Sequence, residues 1–153
     1  LGCSFRDKSQ GWRAMLLHLD FGSKGILLDA SQSSYYALFL KGTFLRPCCY
    51  ECPFCSFERT GDMSIGDFWG IEDTLPQFED EKGVSLILVN SPKGKSAFQA
   101  MANNLDYRQS TRKAALQPAL SAPTPADKQR DAFWQEYARH GYAYGARKFG
   151  GAE

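Results

Sequence analysis

Four cysteines fall within eight positions of the chain, Cys48, Cys49, Cys52 and Cys55, in the stretch RPCCYECPFC. Cys49, Cys52 and Cys55 are spaced C-x2-C-x2-C. Two intervening residues let a tight loop turn successive thiolates onto one metal centre, while its backbone amides point at the sulfurs and offset their negative charge. The same spacing opens a bacterial ferredoxin ligand run, whose next cysteine would fall at residue 59, and that residue is Arg59. Neighbouring Cys48 and Cys49 do not readily face one ion, so the loop offers three well-placed thiolates. A fourth ligand is left to Cys3 or to chain outside this sequence. Zinc, or no metal at all, stays open as a reading, although zinc would want a second C-x2-C or a histidine pair elsewhere in the chain and the sequence has neither.

Other chemistries find little support. There is no HExxH, GxSxG, GxGxxG or GxxxxGK[ST], and the two histidines, His18 and His140, are remote in sequence from the cysteines. A cysteine nucleophile would have to meet its partner in space. The acidic residues Glu72, Asp73, Glu79, Asp80 and Glu81 read as a solvated face rather than a hard-metal site. A net charge of +1 gives no electrostatic argument for nucleic acid. The longest apolar run, VSLILV at 84–89, is far short of the roughly 20 residues of a membrane span. An odd set of five cysteines, four of them clustered, fits ligation in a reducing compartment better than a disulfide framework, so a cytoplasmic location is expected. The opening LGCSFRDK lacks an initiator methionine and a secretory leader, and reads as the start of a piece of a longer polypeptide.

The elements that must position the cysteines follow from pattern. The apolar runs 12–21 and 25–30 flank GSKG and predict a β-hairpin, with His18 as an edge or core histidine rather than a ligand. SSYYALFLKG predicts a short helix with a serine cap, ending near Gly42 and delivering the chain to the cysteine loop. MSIGDFWG predicts a short strand breaking at Gly66 or Gly70, followed by an acidic surface loop around Pro76. GVSLILVNS predicts a central buried strand. Ser91 and Pro92 then start a helix with Ala97, Phe98 and Met101 on one face. QPALSAPTPAD, with three prolines, marks a linker. A helix is expected from Thr124 with Phe133, Trp134 and Tyr137 packing into the core, then a last short basic helix.

Four blocks in order, FRDKSQGW (5–12), LRPCCYECPF (45–54), GDMSIGDFWGIE (61–72) and DEKGVSLILVNSPKGK (80–95), resemble the C-terminal domain of the coenzyme F420 hydrogenase/dehydrogenase beta-subunit family. ALQPALSAPTPADKQRDAFWQEY resembles its closing segment. The resemblance implies an iron-sulfur flavoprotein oxidoreductase passing electrons or hydride between a 4Fe-4S cluster, FAD and a deazaflavin-like or other acceptor. Coenzyme F420 itself is one substrate the resemblance allows, with the physiological acceptor left open. Cys49 and Cys52 match the family's CYxC cysteines and would be cluster ligands; Cys48 stands where serine is expected and Cys55 where lysine or alanine is. Cys55 therefore enters as a third metal residue on spacing alone. The resemblance also places a ferredoxin-like, flavin-binding portion upstream, or a partner redox subunit, so that the chain alone would be inactive.

Gly66, Asp67, Trp69 and Gly70, just past the cysteine loop, are the candidate cofactor-binding residues. The glycines would let backbone approach a cluster or isoalloxazine closely, and Asp67 would cap a turn or bond a ring nitrogen. A plain tight turn with Phe68 and Trp69 in the core is the competing reading. No catalytic residue is assigned. The expected fold is α+β, a small mixed or antiparallel sheet with flanking helices, its core at 1–122 with the cysteine loop at 46–60. A helical segment at 123–153 would pack on that core. The alternative in function is a non-catalytic zinc-binding or structural interaction domain.

Overall fold

LLHLD and GILL pair as the expected hairpin, β2 (Leu16–Asp20) against β3 (Gly25–Leu28), with Asp20 opposite Gly25. Its turn is closed by Phe21 N–H to Lys24 C=O at 2.9 Å and by Asp20 Oδ1 accepting Gly22 N–H at 2.8 Å. A further strand, β1 (Gly2–Asp7), adds antiparallel to β2, giving the order β1-β2-β3. The computed structural model describes residues 1–151. They divide into two compact units, one of Leu1–Glu51 with the chain from Thr124 onward, the other of Cys52–Pro123. One boundary falls in the proline-rich segment and the other inside the cysteine loop.

In the first unit α1 (Ser34–Leu40) starts where Ser33 Oγ accepts Tyr36 N–H at 3.3 Å. It ends in a Schellman closure. Thr43 N–H bonds Leu38 C=O, Gly42 N–H bonds Phe39 C=O, and Gly42 takes φ +76°, which glycine adopts without penalty. A short helix, α2 (Pro47–Tyr50), follows and carries Cys48 and Cys49. The C-terminal helices α5 (Arg130–His140) and α6 (Tyr142–Phe149) belong to this unit, where Leu38, Phe133 and Phe149 form a core with Phe44 beside it. Gly145 lets α6 approach, since a Cβ there would stand 3.0 Å from the Phe133 ring.

Two features of this unit depart from expectation. The helix expected from Thr124 starts at Arg130, because Asp127 holds a turn instead: its carboxylate accepts Gln129 N–H at 3.1 Å and the Thr43 hydroxyl at 2.5 Å. Of the aromatic stripe, Phe133 is buried at 1% exposure, whereas Trp134 and Tyr137 are 37% and 41% exposed.

The second unit is built on β4 (Met63–Asp67) antiparallel to β5 (Ser85–Val89), in register Met63↔Val89 to Asp67↔Ser85. Its core is Phe68, Ile71, Leu86, Ala115 and Leu120. The acidic stretch is not a plain loop: Ile71, 1% exposed, anchors a helical turn, α3 (Ile71–Thr74), and a 3-10 turn follows at Pro76–Phe78. Its carboxylates at Asp73, Glu79, Asp80 and Glu81 face solvent, as expected of a solvated face. Helix α4 (Pro92–Met101) starts as predicted, with Ser91 Oγ accepting Gly94 N–H at 3.1 Å. Among the described residues the apolar run of β5 has one strand neighbour rather than two. It lies at the edge of a two-stranded sheet, and Leu86 is its one buried residue. The architecture as a whole is α+β, with two small antiparallel sheets and helices that include the C-terminal pair.

Candidate functional site

No disulfide joins any of the five cysteines. Cys3 and Cys48 are exposed, and Cys49, Cys52 and Cys55 are half-buried. Helix α2 exists because Pro47 sits in its first turn, which also drives Arg46 into extended backbone at the cap. Tyr50 fixes it in place. Its hydroxyl donates to Gly42 C=O at 2.6 Å and accepts from Arg130 Nε at 3.0 Å, with the Arg130 guanidinium 5.2 Å from the ring centroid. Cys49 is thereby held on a pinned turn. Neither Tyr50 nor Arg130 was assigned a role from sequence; a tyrosine between two ligand-spaced cysteines was the available signal.

Beyond the cysteines, Ser56 C=O accepts Arg59 Nε at 2.8 Å, so the residue at the ferredoxin ligand position closes a local turn. Among the described residues, no three His, Cys, Asp or Glu side chains are grouped to hold a metal ion. The donor chemistry fits a thiolate-ligated cluster, with unbridged and partly accessible cysteines, but the described residues form no complete ligand set.

The GDMSIGDFWG block is tied to NSPKGK by a polar knot. The Asp62 carboxylate accepts the Ser91 hydroxyl at 2.5 Å and pairs with Lys93 at 3.3 Å; Asn90 Nδ2 donates to Gly61 C=O and Ser64 Oγ. The Ser91 hydroxyl and the Lys93 ammonium hold the Asp62 carboxyl below its ordinary value. Gly94 is required, since a Cβ there would collide with the Asp62 carbonyl.

Of the four candidate cofactor residues Gly66, Asp67 and Trp69 are exposed and Gly70 is half-buried. Gly66 is the last but one residue of β4, with nothing near its missing Cβ; Asp67 is exposed, Trp69 is 41% exposed, and Gly70 takes φ +86°. Phe68 points the other way into the core, so the tight turn is present while Trp69 is not core. Gln117, unassigned from sequence, brackets this turn: its amide donates to Asp67 C=O at 3.1 Å and accepts Trp69 N–H at 3.0 Å. Of the four, Gly66 lines a hollow of about 170 Å³. That is smaller than the roughly 300–1,000 Å³ of a small-molecule site, so these residues enclose no flavin by themselves.

The second unit also carries an open groove of about 1540 Å³. Its wall includes the whole of β5, and Arg108 and Arg112 lie over the Phe78 and Phe57 rings at 5.2 and 4.6 Å.

The family model for the C terminus of the coenzyme F420 hydrogenase/dehydrogenase beta subunit matches residues 4–113, and the chain belongs to that family. No curated protein and no solved structure matches the chain. Among the described residues no helix is long and apolar enough to cross a membrane.

Proposed function

We propose that this domain is the C-terminal part of an iron-sulfur flavoprotein oxidoreductase, in which Cys49 and Cys52 supply thiolate ligands to a 4Fe-4S cluster and Cys55 a third. The observation that carries this reading is the cysteine loop itself, set within a family match that covers it. Its thiols are unbridged and partly accessible, and Tyr50 holds the helix that presents Cys49.

The remaining ligands and most of the flavin pocket lie in an upstream ferredoxin-like portion of the same polypeptide or in a partner redox subunit. The strip Gly66, Asp67, Trp69 and Gly70 forms one wall toward FAD: its glycines leave room for close backbone approach and Trp69 offers an exposed ring. When bound, the cluster would supply one-electron transfer and the flavin would convert between one- and two-electron chemistry, with coenzyme F420 or another hydride carrier as acceptor. In this reading the residues named above bind and orient the cofactors.

The test is elemental and cofactor analysis of the intact beta subunit purified without oxygen. Iron, acid-labile sulfide and releasable flavin are expected; zinc without sulfide would replace this reading by that of a structural zinc domain.

A further inference from the structure

Strand β5 reads, residue by residue, as something other than the edge it forms. SLILV carries no charge and no proline, whereas strands that end a sheet in water are blunted by such residues or kept short and covered. A near-continuous apolar run is typical of a strand buried on both faces of its sheet, yet only Leu86 of β5 is buried. In the described residues β5 has one neighbour, β4.

The hydrogen-bond alternation says which groups are left over. Phe68 N–H bonds Val84 C=O and Asn90 N–H bonds Asp62 C=O. In the register between them, Leu86 and Leu88 bond to Gly66 and Ser64, and the amides and carbonyls of Ser85, Ile87 and Val89 point away from β4. That outward edge runs along the open groove, which β5 lines from Ser85 to Val89. At about 1540 Å³ the groove exceeds the roughly 300–1,000 Å³ of a small-molecule site. A row of alternating backbone donors and acceptors beside an open groove of mixed polar and apolar lining is matched by an extended backbone. The other sheet edge is different: on β4 the Asp67 carbonyl is already taken by Gln117.

We infer that β5 is an inner strand of a larger sheet, completed by an extended segment from the N-terminal portion of the same beta subunit, which docks on the Ser85, Ile87 and Val89 edge. The source follows from the family, whose description makes this domain the C terminus of a subunit and so implies an N-terminal portion on the same chain. The inference rests on that membership and not on any cofactor.

The experiment is residue-resolved amide hydrogen exchange on the intact beta subunit, with its mass in solution measured at the same concentrations. If the strand docks, Ile87 and Val89 exchange as slowly as Leu86 and Leu88 in a monomeric subunit. Exchange orders of magnitude faster at Ile87 and Val89 than at Leu86 and Leu88 overturns the inference, and so does protection that appears only as the subunit dimerises. One variant tests the same edge. Ile87→Pro removes an outward N–H without touching the bonds to β4, so protection should be lost at Val89 and kept at Leu86 and Leu88; unchanged protection at Val89 contradicts a docked strand. A subunit that holds iron, sulfide and flavin yet shows a bare edge would leave the proposed redox function standing and remove this inference alone.

Discussion

At the scale of single residues, the proposed function makes the two cysteines of the CYxC pattern cluster ligands, and the tyrosine between them holds the turn that carries Cys49. In the intact beta subunit, Cys49→Ser and Cys52→Ser should each abolish stoichiometric iron and labile sulfide, while Cys48→Ser, exposed and adjacent, should retain both; iron analysis separates these outcomes. Tyr50→Phe strips the Gly42 carbonyl and Arg130 of a partner at once, and should cost about 1–3 kcal/mol in equilibrium unfolding. The candidate ligands were legible because spacing is a property of sequence. The support was not, because Arg130 is 80 positions from Tyr50, and nothing local marks a partner that only the fold brings near. The same holds for Gln117, whose amide stands in for a strand neighbour at Asp67 and Trp69.

At the scale of elements, the blocks that carry the family likeness turn out to be joints. FRDKSQGW turns β1 into β2: Asp7 Oδ1 accepts Ser9 N–H at 2.9 Å, Arg6 donates to Trp12 C=O at 2.8 Å, and Trp12 is buried. The knot between Asp62 and Ser91 fixes α4 against β4, and Gly94 is its tightest point. Gly94→Ala forces a methyl onto the Asp62 carbonyl, so its destabilisation should reach or exceed the roughly 1–3 kcal/mol of ordinary overpacking, read from a denaturant midpoint. In the helical core of the first unit, Phe133→Ala should cost about 3–5 kcal/mol by the same measurement, and Trp134→Ala, on the exposed side, well under half of that. The hairpin, the capped α1 and the Ser91-Pro92 start of α4 were legible because caps and turn glycines act locally. The start of α5 was misplaced because Thr124, Pro125 and Asp127 resemble a capping sequence, yet Asp127 spends its carboxylate on Thr43, far away in sequence. β1 was missed because most of its residues are exposed and show no alternation to read.

At the scale of the whole molecule, the described carboxylates with displaced titration are all held below their ordinary values, by hydroxyls, amides or ammonium groups that favour the charged form. Asp127 is one, held down first by the Thr43 hydroxyl. A carboxyl depressed in the folded state contributes stability that is complete above its unfolded value near 3.9 and drains away as pH falls through the folded one. The stability gap between the parent chain and Asp127→Asn should therefore be widest near neutrality and narrow in acid, as followed by unfolding between about pH 7 and about pH 3. A gap that widens in acid would contradict the assignment. Division into two units with a discontinuous first unit was beyond sequence reading, since only packing shows that α5 and α6 return to the residues before Glu51. The α+β class was within reach because alternating strand and helix patterns declare it locally. The proposed redox role is tested most directly by electron paramagnetic resonance of the intact beta subunit, purified and reduced without oxygen. The expected result is a reduced-cluster signal that disappears when Cys49 and Cys52 are replaced by serine; the same signal surviving in that double variant, or no cluster signal in a correctly folded parent subunit, would contradict it.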